Sequence, residues 1–259
     1  MAKYLEYGLE GKTAIVTGGG TGVGEACAIE LAKGGAKVAV FGRRQAPIDA
    51  VAAECAKYTP GAIALSCDVS DEKSVAESVA KVVSAFGKID ILVNNAGIES
   101  DYQVGEVPFD KFFVMEPEEY LKFFKIHALG HYLMDLAVVP YMQKNQFGRI
   151  VNITSVTAVD AAYSSPAYTA SKAAANCQTK AFAKKFGHDN IIVNAIAPGM
   201  VNTPMKKNSP PEEFEMVAKM TPIGKVAQPV DIARIAMFLA QEELMISGQV
   251  IIADGASHV

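Results

Sequence analysis

Residues 13–35 read TAIVTGGGTGVGEACAIELAKGG, and their character changes twice within one short stretch. A β-branched run comes first. Then Thr17-Gly18-Gly19-Gly20-Thr21-Gly22-Val23-Gly24 makes a glycine-rich turn, and a segment with helical apolar spacing follows, opening near Glu25. Glycines let a chain turn tightly and approach a ligand closely, while a helix N-terminus offers free N–H groups and a positive dipole to a pyrophosphate. A plain glycine-rich strand-to-helix turn is the alternative reading. Its place between a first strand and a first helix is what a dinucleotide-binding fingerprint requires, so the stretch is taken as one.

Working outward, six more β-branched runs recur: KVAVF near 39, AIALSC near 64, IDILVNN near 92, RIVNITS near 152, NIIVNAIA near 193 and GQVIIA near 250. Segments with helical spacing, such as SVAESVAKVVSAFG, lie between them. The runs are continuously apolar rather than alternating, as expected of strands covered on both faces. The expected fold is therefore α/β, a doubly wound, seven-stranded, mostly parallel sheet of the Rossmann type, with residues 1–259 forming a single domain. No Pro/Ser-rich linker or internal repeat divides the chain, and a substrate lid is expected over about residues 200–225.

Half of the 259 residues are hydrophobic, a fifth are charged and the formal net charge is −4, so there is no basic field for nucleic acid or an anionic membrane. A small-molecule partner is favoured. The N-terminal MAKYLEYGLEGK lacks the apolar core of a signal peptide, and Gly, Lys or Asp interrupts every apolar run well short of a membrane span. A cytoplasmic protein is expected. Cys27, Cys55, Cys67 and Cys177 are too scattered for a disulfide framework or zinc knuckle and are expected to be buried thiols.

In such sheets ligands bind at the carboxyl ends of the strands. The second strand ends Phe41-Gly42-Arg43-Arg44, with no acidic residue for a ribose 2′-hydroxyl and two guanidinium forks suited to a 2′-phosphate. NADP(H) is thus expected in preference to NAD(H), the alternative being two solvated surface arginines. Asp68 and Val69 close the third strand, where a carboxylate can accept from an adenine amino group beside an apolar contact; Asp68 as a helix cap is the rival. Asn94-Asn95-Ala96-Gly97 ends the fourth, small enough for backbone to approach a ribose, or simply a turn.

Tyr168-Thr169-Ala170-Ser171-Lys172 lies in an alanine-rich stretch expected to be helical after Pro166. At i,i+4 the Tyr168 and Lys172 Cβ atoms lie about 5–6 Å apart. An ammonium beside a phenol favours the phenolate and moves its pKa toward working pH, so Tyr168 could take or return an alcohol proton. Ser155 follows the fifth strand, where it could donate to a substrate oxygen. Pro198-Gly199, Val201 and Thr203 follow the sixth, where a loop could cover a nicotinamide.

Taken in order, T-G-x-x-x-G-x-G at Thr17 to Gly24, Asp68, N-N-A-G at Asn94 to Gly97, Ser155, Y-x-x-x-K at Tyr168 to Lys172 and N-A-I-A-P-G at Asn194 to Gly199 resemble the short-chain dehydrogenase/reductase family over nearly the whole chain. The resemblance implies Tyr168 as acid–base, Lys172 as its pKa modifier and ribose ligand, Ser155 as substrate-orienting donor and Thr203 as a partner of the nicotinamide carboxamide. Gly18, Thr21, Gly22, Val23, Gly24, Arg43, Arg44, Asp68, Val69, Asn95, Ala96, Gly97, Pro198, Gly199 and Val201 complete the implied cofactor site. A homotetramer or homodimer, with the Tyr168 helix in its interface, is also implied.

The chain departs from the pattern at His127, in Ile126-His127-Ala128-Leu129-Gly130, where the family carries a water-holding asparagine. An imidazole could serve a proton relay there, or could be a packed core histidine. His127, His131 and Asp135 share a helical face, but H-x-x-x-H without the zincin glutamate gives no metal site. The segment from Ile98 to Lys125 is rich in Phe and Tyr and is longer than usual, which suits an aromatic wall for a bulky apolar substrate or subunit packing. Met205, Met216 and Met220 suit a lid. A ketone/secondary-alcohol oxidoreductase for a bulky apolar substrate such as a hydroxysteroid is therefore expected. A 3-oxoacyl-thioester reductase, with Lys206 and Lys207 as its phosphate holders, a sugar or polyol dehydrogenase, and a non-enzymatic NADP(H) sensor are the rivals.

Overall fold

The computed structural model describes residues 8–99, 115–161, 164–206 and 209–258. Its first half runs β1 (Thr13–Thr17), α1 (Gly22–Lys33), β2 (Lys37–Gly42), α2 (Gln45–Cys55), β3 (Ile63–Ser66), α3 (Glu72–Phe86) and β4 (Ile91–Asn94). After the aromatic segment come α4 (Pro117–Phe124), one π-helical turn (Lys125–Leu129), α5 (Gly130–Asn145), β5 (Gly148–Ile153), the short α6 (Thr157–Asp160) and α7 (Pro166–Phe186). The chain then forms β6 (Ile191–Pro198), α8 (Pro211–Met220), α9 (Pro229–Leu239) and β7 (Val250–Ala253).

The strands lie side by side in the order β3, β2, β1, β4, β5, β6, β7, and every neighbouring pair is parallel, so the sheet is wholly rather than mostly parallel. Side chains alternate between two separate cores, as the two-residue period of a strand dictates. Ala14, Val16, Val38 and Val40 join Leu31 of α1, Val51 of α2 and Met237 of α9 on one face. Ile15, Ala39 and Phe41 join Val79 of α3, Val138 of α5 and Phe182 of α7 on the other. Coverage on both faces is why the runs are continuously apolar.

Strand order reverses beside β1, so the crevice between the ends of β1 and β4 is the ligand position for this topology. A buried polar chain braces it from below. Asn94 Nδ2 donates to Asp135 Oδ1 at 2.7 Å and to Asn152 Oδ1 at 2.9 Å, and Asn152 Nδ2 donates to Thr179 Oγ1 at 2.9 Å. These bonds join β4, β5, α5 and α7 without leaving the donors unsatisfied in a dry interior. Burial pushes the Asp135 carboxyl up to about 8, which keeps it neutral near physiological pH.

Three cysteines are buried, but Cys177 is exposed on α7, contrary to the expectation of four buried thiols; it falls on the outward side of a helix whose inner side carries Ala175 and Phe182. The region after β6 is not simply a loop: a 3-10 turn at Pro204–Lys206 precedes helix α8. Among the described residues no helix is long and apolar enough to cross a membrane.

Candidate active site

The glycine turn is built for close approach. Gly18 and Gly22 have φ of +61° and +62°, in the left-handed region that disfavours side chains. A Cβ on Gly24 would fall 2.3 Å from the Gly18 carbonyl oxygen and 2.4 Å from Asn95 Nδ2, so a glycine is obligatory there. Helix α1 starts at Gly22, earlier than the apolar spacing suggested, and Thr21 makes no side-chain cap, which leaves the helix N–H groups to a ligand. The β4 end is tied to this turn: Asn95 Nδ2 donates to the Thr17 and Gly18 carbonyls at 3.1 and 3.2 Å, and Thr17 Oγ1 accepts from Asn95 N and Ala96 N, each at 3.0 Å. Thr17, the first residue of the fingerprint, thus joins the end of β1 to the segment after β4.

One cavity of about 1810 Å³ runs from Arg43, Arg44, Asp68 and Val69, past this turn, to Ser155, Tyr168 and Lys172. It exceeds the roughly 300–1,000 Å³ of a site for one drug-sized ligand, leaving space for a dinucleotide and a second molecule. Asp68 does not cap a helix; Asp71 caps α3, accepting from Ser74 N. Asp68 Oδ1 instead accepts from Ser70 Oγ at 2.7 Å and Ser70 N at 2.9 Å. The Ser70 bonds, with the Arg43 charge adding to them, hold its carboxyl below the usual range, as a charged acceptor at the cavity wall. Thr203 packs over Gly22, so the loop after β6 closes directly on the glycine turn, and Val201 pairs with Ala227 to hold that loop. Gly199, Pro198, Ala96 and Gly97 also line the cavity.

At the other end, α7 presents Tyr168 and Lys172 on one face. Pro166 occupies its first turn, and the Ser165 hydroxyl accepts from Tyr168 N, so the helix is capped at the residue it must place. Lys172 Nζ donates to the Ile153 carbonyl at 2.8 Å and lies 5.8 Å from the Tyr168 ring centre. Thr157 donates to Ser155 Oγ from both its backbone N and its hydroxyl, at 3.3 and 3.0 Å, so the Ser155 proton is left to point at Tyr168, with which it is hydrogen-bonded, or at a substrate oxygen. Burial pushes Tyr168 up to about 12, with the Glu99 charge adding to it and the Ser155 bond opposing it. Burial pulls Lys172 down to about 7. Without a bound cofactor, burial therefore holds the phenol protonated.

His127 is fully buried, and its bonds define its form. Ser171 Oγ donates its proton to the Tyr168 carbonyl at 2.8 Å, so it must accept from His127 Nδ1, 2.9 Å away. His127 Nε2 then accepts from Ile98 N at 2.9 Å. The ring is neutral with its proton on Nδ1, and burial, with Lys172 and His131 nearby, pulls its pKa well below normal. Both nitrogens are engaged within the protein, the arrangement of the packed core histidine that stood beside the relay as a reading of this position. The imidazole instead ties the loop after β4 to the Tyr168 helix and packs edge-on to the Tyr168 ring, centroids 5.3 Å apart. Gly97 leaves it room, since a Cβ there would lie 3.2 Å from Nε2.

Of the aromatic segment, Tyr102, Phe109, Phe112 and Phe113 lie outside the described residues. Phe123 is buried behind Tyr168, centroids 6.4 Å apart, and Phe124 stacks on Tyr120 away from the cleft. Among the described residues the apolar wall at the substrate end comes from Met205, Met216, Val217, Met220 and Ile223 on and beside α8. Lys206 lines the cleft in an ion pair with Glu99, while Lys207 lies outside the described residues. Glu99 escaped notice in the sequence because nothing local marks it. His258, held between Asp254 at 2.9 Å and Asp160 at 3.1 Å in the same cavity lining, is equally unmarked. Among the described residues no group of three or more His, Cys, Asp or Glu side chains is arranged to hold a metal ion.

A family model described as enoyl-(acyl carrier protein) reductase matches residues 18–258. The 3-oxoacyl-(acyl-carrier-protein) reductase FabG of Thermotoga maritima is 35% identical over 252 residues, covering 95% of this chain and 98% of its own. The 7alpha-hydroxysteroid dehydrogenase of Escherichia coli K12 is 34% identical over 249 residues, covering 95% and 94%. Among solved structures, the 3-ketoacyl-(acyl-carrier-protein) reductase of Brucella melitensis complexed with NADH superposes with a TM-score of 0.87 at 34% identity, covering 97% of this chain and 100% of that one. Relatedness along the full length, with a dinucleotide cradle and a Ser/Tyr/Lys constellation on one cavity, leads to one conclusion: the chain belongs to the short-chain dehydrogenase/reductase family and is an NAD(P)-dependent oxidoreductase acting on the CH–OH/C=O couple.

Proposed function

We propose that this enzyme uses NADP(H) to interconvert a bulky apolar ketone, of the hydroxysteroid or similar ring type, and its secondary alcohol. The observation that carries the substrate class is the methionine-lined wall of the cleft: Met205, Met216 and Met220 are each more than half exposed in a cavity with room beyond the dinucleotide. Thioether side chains adapt to irregular apolar bodies. The cofactor preference rests on Arg43 and Arg44 lining the same cavity where β2 ends without a carboxylate. The Thermotoga relative supports a second reading, a 3-oxoacyl-thioester reductase.

Bound NADPH supplies the hydride. Ser155 donates to the carbonyl oxygen and orients it toward Tyr168. Tyr168, kept protonated by its dry surroundings, gives its proton to the developing alkoxide. Lys172, with two donors left beyond its bond to Ile153, holds ribose hydroxyls and steadies the resulting phenolate. His127 and Ser171 keep Tyr168 and the β4 loop in register, as positioning residues. A homo-oligomer and a cytoplasmic setting complete the reading, the latter supported by four free thiols.

The test is NADPH and NADH oxidation over a panel of ring, acyl-thioester and sugar ketones by the native chain and by Tyr168→Phe. Turnover of ring ketones with NADPH should fall about 10³-fold in Tyr168→Phe, with NADPH affinity retained. Equal turnover in the variant sinks the mechanism, and a native preference for NADH sinks the cofactor assignment.

A further inference from the structure

The Glu99–Lys206 ion pair joins two segments that line the cleft, the one after β4 and the one after β6. Glu99 follows Ile98, whose backbone N–H is held by buried His127, so the carboxylate stands on a fixed point. Lys206 sits on the 3-10 turn that follows Thr203, with Lys206 N bonded to the Thr203 carbonyl at 2.9 Å. That turn rests on Gly22 through Thr203. Both side chains are about one-third exposed, at 32% and 29%, so their charges act in partly dry surroundings where pairing matters more than on an open surface.

The charge around them is lopsided. Asp160, Glu212, Glu213, Asp231 and Asp254 also line this cavity, against Lys172, Lys225 and His258 apart from the arginines after β2, among the described residues. An anion entering the cleft meets a carboxylate-rich lining, and the Lys206 ammonium that could receive it is already neutralised. Glu99 is also close enough to Tyr168 for its charge to raise the phenol's proton affinity.

We propose that Glu99 is the specificity-determining residue of this cleft: by pairing with Lys206 it withholds the lysine from anionic ketones and so favours uncharged ones. This deepens the proposed reduction of ring ketones and rests on it. It also bears on the acyl-thioester alternative, since a carrier's phosphate needs a free cation at the mouth.

The test compares two ring ketones that differ only in a distal carboxylate, assayed by NADPH oxidation with the full-length chain. The native enzyme should prefer the neutral ketone in kcat/KM. In Glu99→Gln, Lys206 is released, and the preference should shrink about fivefold through a lower KM for the anionic ketone, while any change in kcat from the altered Tyr168 falls on both ketones alike. Lys206→Met should move the preference the other way, by raising KM for the anionic ketone alone, and decides the matter if Glu99→Gln fails to bind NADPH. A native enzyme that reduces the neutral ketone while both variants keep the native preference overturns the assignment of Glu99 alone. A native enzyme that reduces neither ketone overturns the ring-ketone reading, and this assignment with it.

Discussion

Burial puts the Lys172 ammonium at a disadvantage in the fold, and thermal denaturation can read that cost. Its folded pKa of about 7 lies below the ordinary 10.5, so between these values the unfolded chain binds a proton that the folded chain does not. Stability therefore rises with pH across that window, and the full cost of burying the charge is present below pH 7. Lys172→Met should accordingly melt at least about 5 °C above the native chain at pH 6, with the gap closing by pH 10, while turnover is lost. Thermal denaturation at the two pH values checks this; a gap that does not change with pH means that the lysine stays charged in the fold. That Tyr168, Lys172 and Ser155 would line one cavity was legible less from the i,i+4 spacing, which occurs often by chance, than from their place beside several strand ends that carry fitting residues. The form of His127 was not, since its proton position depends on Ser171 and Ile98, residues 44 and 29 positions away. Glu99 was equally hidden, because its partner lies 107 residues on.

All seven strands were legible as β-branched runs, because a doubly covered strand must be apolar on both faces. Helix α8 was read only as part of a lid loop. Its own start signal was present in Pro211 followed by Glu212 and Glu213, a proline and two carboxylates suited to a first turn. The π turn at Lys125–Leu129 was invisible, since one extra residue in a helix leaves no compositional trace. The role of Arg149 at the start of β5 was invisible too. Nearly fully buried, it donates from Nε to the Gln241 carbonyl at 2.8 Å, from Nη1 to Gly148 and Asn190 carbonyls at 2.8 and 3.0 Å, and from Nη2 to the Glu242 carbonyl. One guanidinium thus fastens β5 to the turn before β6 and to the segment after α9. Arg149→Met removes a donor from four carbonyls, of which Asn190 O keeps its bond from Gly148 N, and should cost about 3 kcal/mol, seen as a fall of roughly 10 °C in melting temperature. Because Ser155 lies beyond the opposite end of the same strand, KM for NADPH should stay within about twofold at temperatures where the variant is folded. A variant of native stability would show the donors to be dispensable.

Among the described residues, one apolar stripe lies open along the outer side of α4, the π turn and α5. Leu121, Leu129, Tyr132 and Leu136 are between 40% and 54% exposed. Leu129, Tyr132 and Leu136 follow each other at helical spacing on the outer face of the π turn and α5, while Met134, Val138 and Met142 face the core. Leu121, Leu129 and Tyr132 meet Phe124 and Gln178 around a shallow, nearly apolar depression, so the stripe is continuous with the flank of the Tyr168 helix. A monomer gains nothing by leaving such a stripe in water, whereas a second copy of the same face would cover it by two-fold symmetry. Self-association through this side also links the oligomer to catalysis, because α7 would be braced from outside as His127 braces it from within. Leu136→Glu sets a carboxylate against its own symmetry mate at any two-fold contact that covers the stripe. At about 10 µM the native chain should run as a dimer or tetramer in light scattering after size exclusion, and Leu136→Glu should run as a smaller species that still binds NADPH. A native monomer at that concentration, or a variant with unchanged mass, would remove this face from the interface and leave its exposure to some other contact.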